Sequence, residues 1–472
     1  MTVFLPETAK VVYQHALYLS VFCRHEEAMN IQYCSKAPTL PAHKVEICVD
    51  STDSRGVEAA EFEKLREEGN KLFGEGRFQD AVELYSSAID RKERLEFLDP
   101  TFVSNRALAY LMLQLFEEAL EDAKVYISKR PKCWKGYARK ALALHGLNDM
   151  TGAEFAAAQT YNLAREIFSK YDPFKKFSYL EKCTRFCYSD SDLLQALNTM
   201  PPGKRVILLY PGIYETMREV DFDNCIVVGC VEQSLDSRIQ VHFKGSSDAF
   251  VHTKCALGNL NFLFDQGHFQ CLPTSVTILY NCSFTSRNSL MPSFKTLGVT
   301  KVENCDFRNS SAGGFLCIAG ASDVENCTFS NNGKAGPEVR QGGTLLAKNV
   351  YSYNNRQGLL VGPKAKKCVL ANSQINCNAS EGIFVCDCEH DNADIQLCNN
   401  SIFHNDNFGI SVRDSSILVA ENAFSRIVGG VYGFRVTLVV IFLEMRFRVT
   451  DWEEFVSGNA PMDGHRLALK TI

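Results

Sequence analysis

Eight asparagines constrain the second half of this 472-residue chain more tightly than any other feature. Asn259, Asn281, Asn304, Asn326, Asn349, Asn372, Asn400 and Asn422 stand 22, 23, 22, 23, 23, 28 and 22 residues apart. Three of them head nearly identical words: Asn281-Cys-Ser-Phe284, Asn304-Cys-Asp-Phe307 and Asn326-Cys-Thr-Phe329. A second asparagine follows five places on, at Asn309, Asn331, Asn354 and Asn405. Gly358, Gly382 and Gly409 each open a short apolar word in successive repeats. A repeat of this length with short strands is what one coil of a parallel solenoid requires. Each coil has three strands joined by turns, and equivalent residues stack about 4.8 Å apart. Asparagine tolerates left-handed turn geometry, and its amide can bond to the next amide along the axis. Cys282, Cys305 and Cys327, and likewise Phe284, Phe307 and Phe329, then form buried rows. From 201 to 426 there is room for about ten such coils. The leucine-rich consensus of a horseshoe repeat is absent.

The first half has a different period. Ala81, Ala119 and Ala153 are 38 and then 34 residues apart, and Gly69, Ala107 and Ala141 precede them by 12 each. Small residues at a spacing near 34 mark paired helices in close contact, the tetratricopeptide pattern. The longer first interval fits the loop from Arg91 to Asp99, and Pro131 closes the second unit. Helices are expected over 59–74, 78–91, 98–113, 116–129, 132–146 and 150–166. Leu72, Phe73, Leu84, Tyr85, Tyr110, Leu111, Leu142 and Leu144 are expected to pack between them.

Five polar residues lie on the first helices of these units, which line the concave groove of such an array. Arg66 and Asn70 are four apart, as are Lys135 and Arg139, so each pair shares a helix face. Asn105 lies on the helix between them. This set resembles the dicarboxylate clamp of tetratricopeptide co-chaperones, across about a hundred residues. In that family a Lys-Asn, Asn, Lys-Arg set grips the C-terminal Glu-Glu-Val-Asp of heat-shock chaperones. The resemblance implies a peptide-carboxylate site at Arg66, Asn70, Asn105, Lys135 and Arg139. Arg66 departs from the pattern, since Lys is usual there; the charge is kept, but as a planar fork. Cations and amides from three helices can satisfy two neighbouring carboxylates through charge-assisted hydrogen bonds. Solvated helix faces also carry Arg and Lys, but Asn is a poor helix former and its presence twice argues for a role.

The run from Arg205 to Glu215, a buried strand ending at Pro-Gly with Tyr following, resembles the first rung of pectate-lyase-like right-handed β-helices. The fold expected is therefore multidomain α and β: a helical tetratricopeptide solenoid followed by a right-handed parallel β-helix. The divisions are an N-terminal extension and linker (1–56), a tetratricopeptide domain (57–170), a capping or connector helix (171–200), the β-helix (201–426) and an atypical tail (427–472). Within the extension, Thr8–Arg24 is expected to be helical; its apolar part, Val11–Phe22, lacks the basic flank and cleavage site of a signal peptide and is too short and too polar for a membrane span. The tail breaks the asparagine repeat and is expected either to close the end of the β-helix or to diverge from it.

The formal net charge of −5 points to neither nucleic acid nor an anionic membrane. Nineteen cysteines without a framework spacing or a secretory signal fit free thiols in a reducing, cytoplasmic setting. An enzyme on this fold would need carboxylates stacked in register. Asp306, Asp323, Asp387, Asp391 and Asp394 do not recur at the coil period. Cys386, Cys388 and His390 alternate, with Cys398 as a fourth zinc candidate, but they read more simply as thiols beside a turn. Cys183 and Cys187 read as an incidental helix face. The expectation is thus a non-enzymatic adaptor or co-chaperone without cofactor. Its repeats would bind the C-terminal peptide of a heat-shock chaperone, and its β-helix, like those of some F-box proteins, a further protein or glycan. The alternatives are a polysaccharide lyase or hydrolase, and a repeat scaffold that binds no chaperone.

Overall fold

The computed structural model describes residues 54–93, 100–168, 170–200, 205–230, 239–386 and 393–412, with the strands Ile417–Ala420, Ala423–Phe424 and Leu438–Ile441. The expected helix at Thr8–Arg24, Asn422, the candidates Asp387, Cys388, His390 and Asp391, and most of the 427–472 tail lie outside these residues.

Six helices open the fold: α1 (Ser54–Gly74), α2 (Phe78–Glu93), α3 (Pro100–Met112), α4 (Phe116–Lys129), α5 (Trp134–Gly146) and α6 (Met150–Leu163). They pair as helical hairpins. Ala81, Ala107, Ala119, Ala141 and Ala153 are fully buried where neighbours cross, because only a methyl group or less lets two backbones approach there. Asp149 caps α6 by accepting a hydrogen bond from the Gly152 N–H.

The chain then enters a parallel solenoid earlier than its sequence indicates. Thr184–Cys187 is a strand, paired in parallel with Arg205–Leu209. Cys187 is therefore an interior thiol and not part of a helix face. Between these strands α7 (Asp190–Thr199), capped by Ser189, lies over the end of the coils, burying Leu193, Ala196 and Leu197 in the same core. From there the backbone winds right-handedly, the sense that parallel crossovers take. The described strands form three parallel sheets of 12, 9 and 10 strands, each sheet collecting one strand per coil. In the longest sheet, the strand Leu438–Ile441 adds in parallel to Ile417–Ala420, so part of the tail continues the solenoid.

Stacking fills the interior. Phe262, Phe284, Phe307 and Phe329 lie nearly parallel with centroids 5.0, 5.2 and 5.1 Å apart. Phe269, Phe294 and Phe315 form a second row at 5.3 Å. The offset matches the strand spacing, which holds rings in contact without strain.

The turns explain the asparagines. Asn259, Asn281, Asn304, Asn326, Asn349, Asn372 and Asn399 all have φ between 50° and 59°, the left-handed region that Asn tolerates. Amides on neighbouring coils bond to each other, as from Asn281 to Asn259 at 2.8 Å and from Asn349 to Asn326 at 3.1 Å. Each turn aims the next N–H inward, where it needs an acceptor on the following coil. Cys305 and Cys327 sulfurs accept from Cys282 and Cys305 N–H at 3.4 Å, and further along Asn400 accepts from Ser373 N–H at 2.9 Å. Asn400 is thus not a member of the outer ladder; Asn399 is, and Asn400 faces inward. The second turn behaves likewise. Asn309, Asn331, Asn354, Cys377 and His404 take the left-handed position, while Asn332, Asn355, Asn378 and Asn405 are buried acceptors in line. Asn405 belongs to that inner row.

The first strands of the long sheet are buried on both faces. Ile207 and Leu209 join the coil interior, whereas Val206, Leu208, Ile226, Val228 and Ala256 pack with residues of α5 and α6 in a separate core. The apolar run Val206-Ile-Leu-Leu209 is the sequence trace of that double burial.

Candidate peptide-carboxylate site

Asn70 on α1 and Asn105 on α3 meet. The Asn105 amide donates to Asn70 Oδ1 at 3.0 Å, and the Tyr85 hydroxyl of α2 donates to the same oxygen at 2.9 Å. With two donors on its oxygen, Asn70 has its amide nitrogen left to offer to a ligand. Tyr85 is buried, and burial raises its hydroxyl pKa to about 12 against the lowering effect of Asn105, so it stays a neutral donor. Gly69 makes room for that ring: a Cβ there would lie 2.4 Å from Tyr85 Cε1. By its place in the sequence Tyr85 reads only as packing. Its aromatic body does pack against Phe102, and nothing in its spacing distinguishes the hydroxyl's second task.

Arg139 on α5 is 7% exposed. Its Nε donates to the Ser104 carbonyl at 2.6 Å, next to Asn105, and its NH1 to the Lys135 carbonyl at 3.0 Å. Burial lowers its pKa, and nearby Tyr171 partly opposes this. The guanidinium thus ties α5 to α3 behind the groove. Lys135, one turn earlier, is exposed and has no ion-pair partner among the described residues. Arg66 is half-buried and paired with Glu63 on its own helix, so a ligand carboxylate there competes with an internal one. Of the five residues, Asn70 and Asn105 touch directly, Arg139 reaches them through Ser104, and Lys135 and Arg66 flank the set on α5 and α1.

The rotation of α3 is held from behind. Arg106, next to Asn105, forks onto Asp122 of α4 with both contacts at 2.8 Å and donates to Ser86 of α2 at 3.0 Å. The hydrogen bond to Asp122 raises the Arg106 pKa. A bidentate pair of this kind fixes direction as well as distance. The assembly offers amide donors and cations from three helices, the chemistry suited to a chain-terminal carboxylate beside a second one.

On the β-helix, several carboxylates have a lysine or histidine partner. Glu215 meets Lys244, Asp265 meets His242 at 3.0 Å, Asp394 meets Lys367 at 2.7 Å and Asp248 meets His268 at 3.0 Å. Among the described residues no three His, Cys, Asp or Glu side chains are grouped to hold a metal ion. No described helix is long and apolar enough to cross a membrane.

Comparison with known proteins places both halves. Residues 293–437 match the family model described as right handed beta helix region. The Hsp70-Hsp90 organising protein of Plasmodium falciparum is 41% identical over 98 residues, covering 21% of this chain and 37% of that protein. The chain thus spans about a third of that relative's length. A co-chaperone of Aspergillus fumigatus, sgt12, is 29% identical over 137 residues, 29% of this chain and 38% of that protein. Among solved structures, the first tetratricopeptide domain of Spaghetti, bound to the HSP90 peptide SRMEEVD, is 25% identical with a TM-score of 0.23. It covers 26% of this chain and 93% of that one. The helical part is thus similar to co-chaperone tetratricopeptide domains, and the second part is a right-handed parallel β-helix.

Proposed function

We propose that this chain, a tetratricopeptide domain joined to a right-handed β-helix, is a cytosolic chaperone adaptor and not an enzyme. Its groove binds the C-terminal Glu-Glu-Val-Asp of a heat-shock chaperone, and its β-helix carries a further protein or glycan. The carrying observation is the Asn70–Asn105 amide pair, held by Tyr85 and flanked by the exposed Lys135. The similarity to co-chaperones over the same helices supports the same reading. The pairing of Glu215 with Lys244 and of Asp394 with Lys367 supports a binding role for the β-helix, because a carboxylate neutralised by a lysine is a poor metal ligand or general base.

The test is calorimetric titration of the full chain with Met-Glu-Glu-Val-Asp, with the C-terminally amidated peptide, and with Lys135→Ala protein. A few charge-assisted hydrogen bonds, less the ordering of a short peptide, correspond to about −8 kcal/mol, or roughly micromolar affinity. The expected result is such binding, lost on amidation, lost with Lys135→Ala and weakened by salt. Binding indifferent to amidation would remove the chaperone reading and leave a scaffold for internal motifs.

A further inference from the structure

We propose that the β-helix positions the clamp: Glu303 and Tyr280, on its long sheet, hold α5 in the orientation that presents Lys135 to a peptide and keeps Arg139 on the Ser104 carbonyl. This inference rests on the proposed peptide site. Helix α5 has two working faces. Lys135 and Arg139 belong to the groove set. Tyr137 and Lys140 face the β-helix, and Lys140 is the residue next to Arg139. Lys140 is 8% exposed, its ammonium lies 2.7 Å from Glu303 Oε2 and it sits over the Tyr280 ring at 5.0 Å. Tyr137 meets Tyr280 edge to face at 6.2 Å.

The flanking helices are tied to the same surface. Lys301, two residues before Glu303 on the strand Val299–Glu303, reaches Asp149 at 2.6 Å, and Asp149 is the cap of α6. Glu325, the register partner of Glu303 on the next coil, lies 3.6 Å from Lys124 of α4. Phe155 of α6 sits over Gly258, where a Cβ would be 2.8 Å from its Cζ. The first unit, by contrast, packs with α3 in a core containing no β-helix residue. The five groove residues therefore straddle α5, which packs on the β-helix, and α1 and α3, to which it is joined through the Arg139 bond to Ser104 and, by way of α4, the Arg106 fork onto Asp122.

A buried ammonium without its carboxylate must regain water or lose its charge. With lysine at 303 the buried Lys140 ammonium faces a second cation, and relieving that repulsion turns or lifts α5 from the sheet. The neighbouring Arg139 would then leave Ser104, and Lys135 would leave the register of the two amides. Sites of this kind tolerate only about half an ångström of misplacement. Glu303 and Tyr280 touch no ligand in this scheme; they act through α5.

The test is titration of the full chain with Met-Glu-Glu-Val-Asp, reading affinity and stoichiometry separately. Glu303→Lys is expected to weaken binding at least tenfold at unchanged stoichiometry. The exchanged pair Lys140→Glu with Glu303→Lys is expected to restore it to within threefold. Gly258→Leu, which wedges Phe155 off the sheet without altering charge, should weaken binding to a similar extent and serves if Glu303→Lys does not fold. Loss of stoichiometry at unchanged affinity would mean a merely structural role and overturn the inference. So would wild-type affinity in both Glu303→Lys and Gly258→Leu. Failure of the wild-type chain to bind would remove the clamp reading itself, whereas a binding wild type with unaffected variants would remove only the positioning role.

Discussion

Asn70→Asp is the sharpest change to make in the groove, because it is nearly isosteric and alters only what the side chain offers a ligand. In the structure, Asn70 Oδ1 accepts from Tyr85 at 2.9 Å and from Asn105 at 3.0 Å. A carboxylate keeps both bonds and makes them charge-assisted, so the fold should not weaken. The outward atom changes from donor to anion. One charge-assisted hydrogen bond to the ligand is lost, about 1.5–3 kcal/mol. A second carboxylate is brought up against the peptide's own, which costs about 1 kcal/mol at 4 Å in water and more where water is excluded. The sum is at least about 2.5 kcal/mol, or roughly 50-fold in affinity. Calorimetry on the full chain measures this, with melting recorded beside it. The expected outcome is unchanged melting, binding weakened 50-fold or more, and a deficit against wild type that narrows in salt. A folded variant that binds within threefold of wild type would refute the assignment of Asn70 as a ligand donor, and with it the orientation that Tyr85 imposes.

Two further predictions concern the scaffold. Asn355→Ala removes the acceptor of two Asn332 donors and the donor to the Phe329 carbonyl. Orphaned buried groups at about 1–3 kcal/mol each predict a loss of roughly 3–5 kcal/mol. The exposed Asn349→Ala should lose only about 1–2 kcal/mol, for the left-handed backbone, and Asn349→Gly should recover it. Hydrogen exchange of amides in coil 326–358 reads both, and equal losses for the two alanine variants would contradict the inner-row account. At Asp149, burial favours the neutral acid, but the hydrogen bonds from Lys301 and the Gly152 N–H outweigh it and hold the carboxyl below its ordinary range. The stability it lends is therefore present above about pH 4 and is lost as pH falls through the lower folded value. Lys301→Met should lower melting by the equivalent of less than about 1 kcal/mol at pH 7, since Lys301 is half exposed. The difference should vanish once the pH is low enough to protonate Asp149 in the folded chain, and a difference that persisted there would mean that Lys301 acts by packing.

The periodic parts are legible in the residues alone. Alanines at a spacing of 34 and asparagines at 22 or 23 each report one repeated local event, a helix crossing or a left-handed turn, and such events are decided within a few residues. For the same reason the phenylalanine and cysteine rows were legible. At Asn399-Asn400 and His404-Asn405 the pattern misleads, because adjacent residues serve one outward and one inward position and only φ separates them. The five groove residues were legible as types and spacings. Which of them touch was not: the Asn70–Asn105 contact, the turn of Arg139 towards Ser104 and the second role of Tyr85 join residues 15 to 35 positions apart. The strand Thr184–Cys187 was hidden for a related reason, since four residues become a strand only when Arg205–Leu209 lies beside them. The pairing of Lys140 with Glu303 spans 163 residues. Each charge alone reads as an ordinary surface residue, and only docking of the helices onto the sheet removes the water that would otherwise separate them.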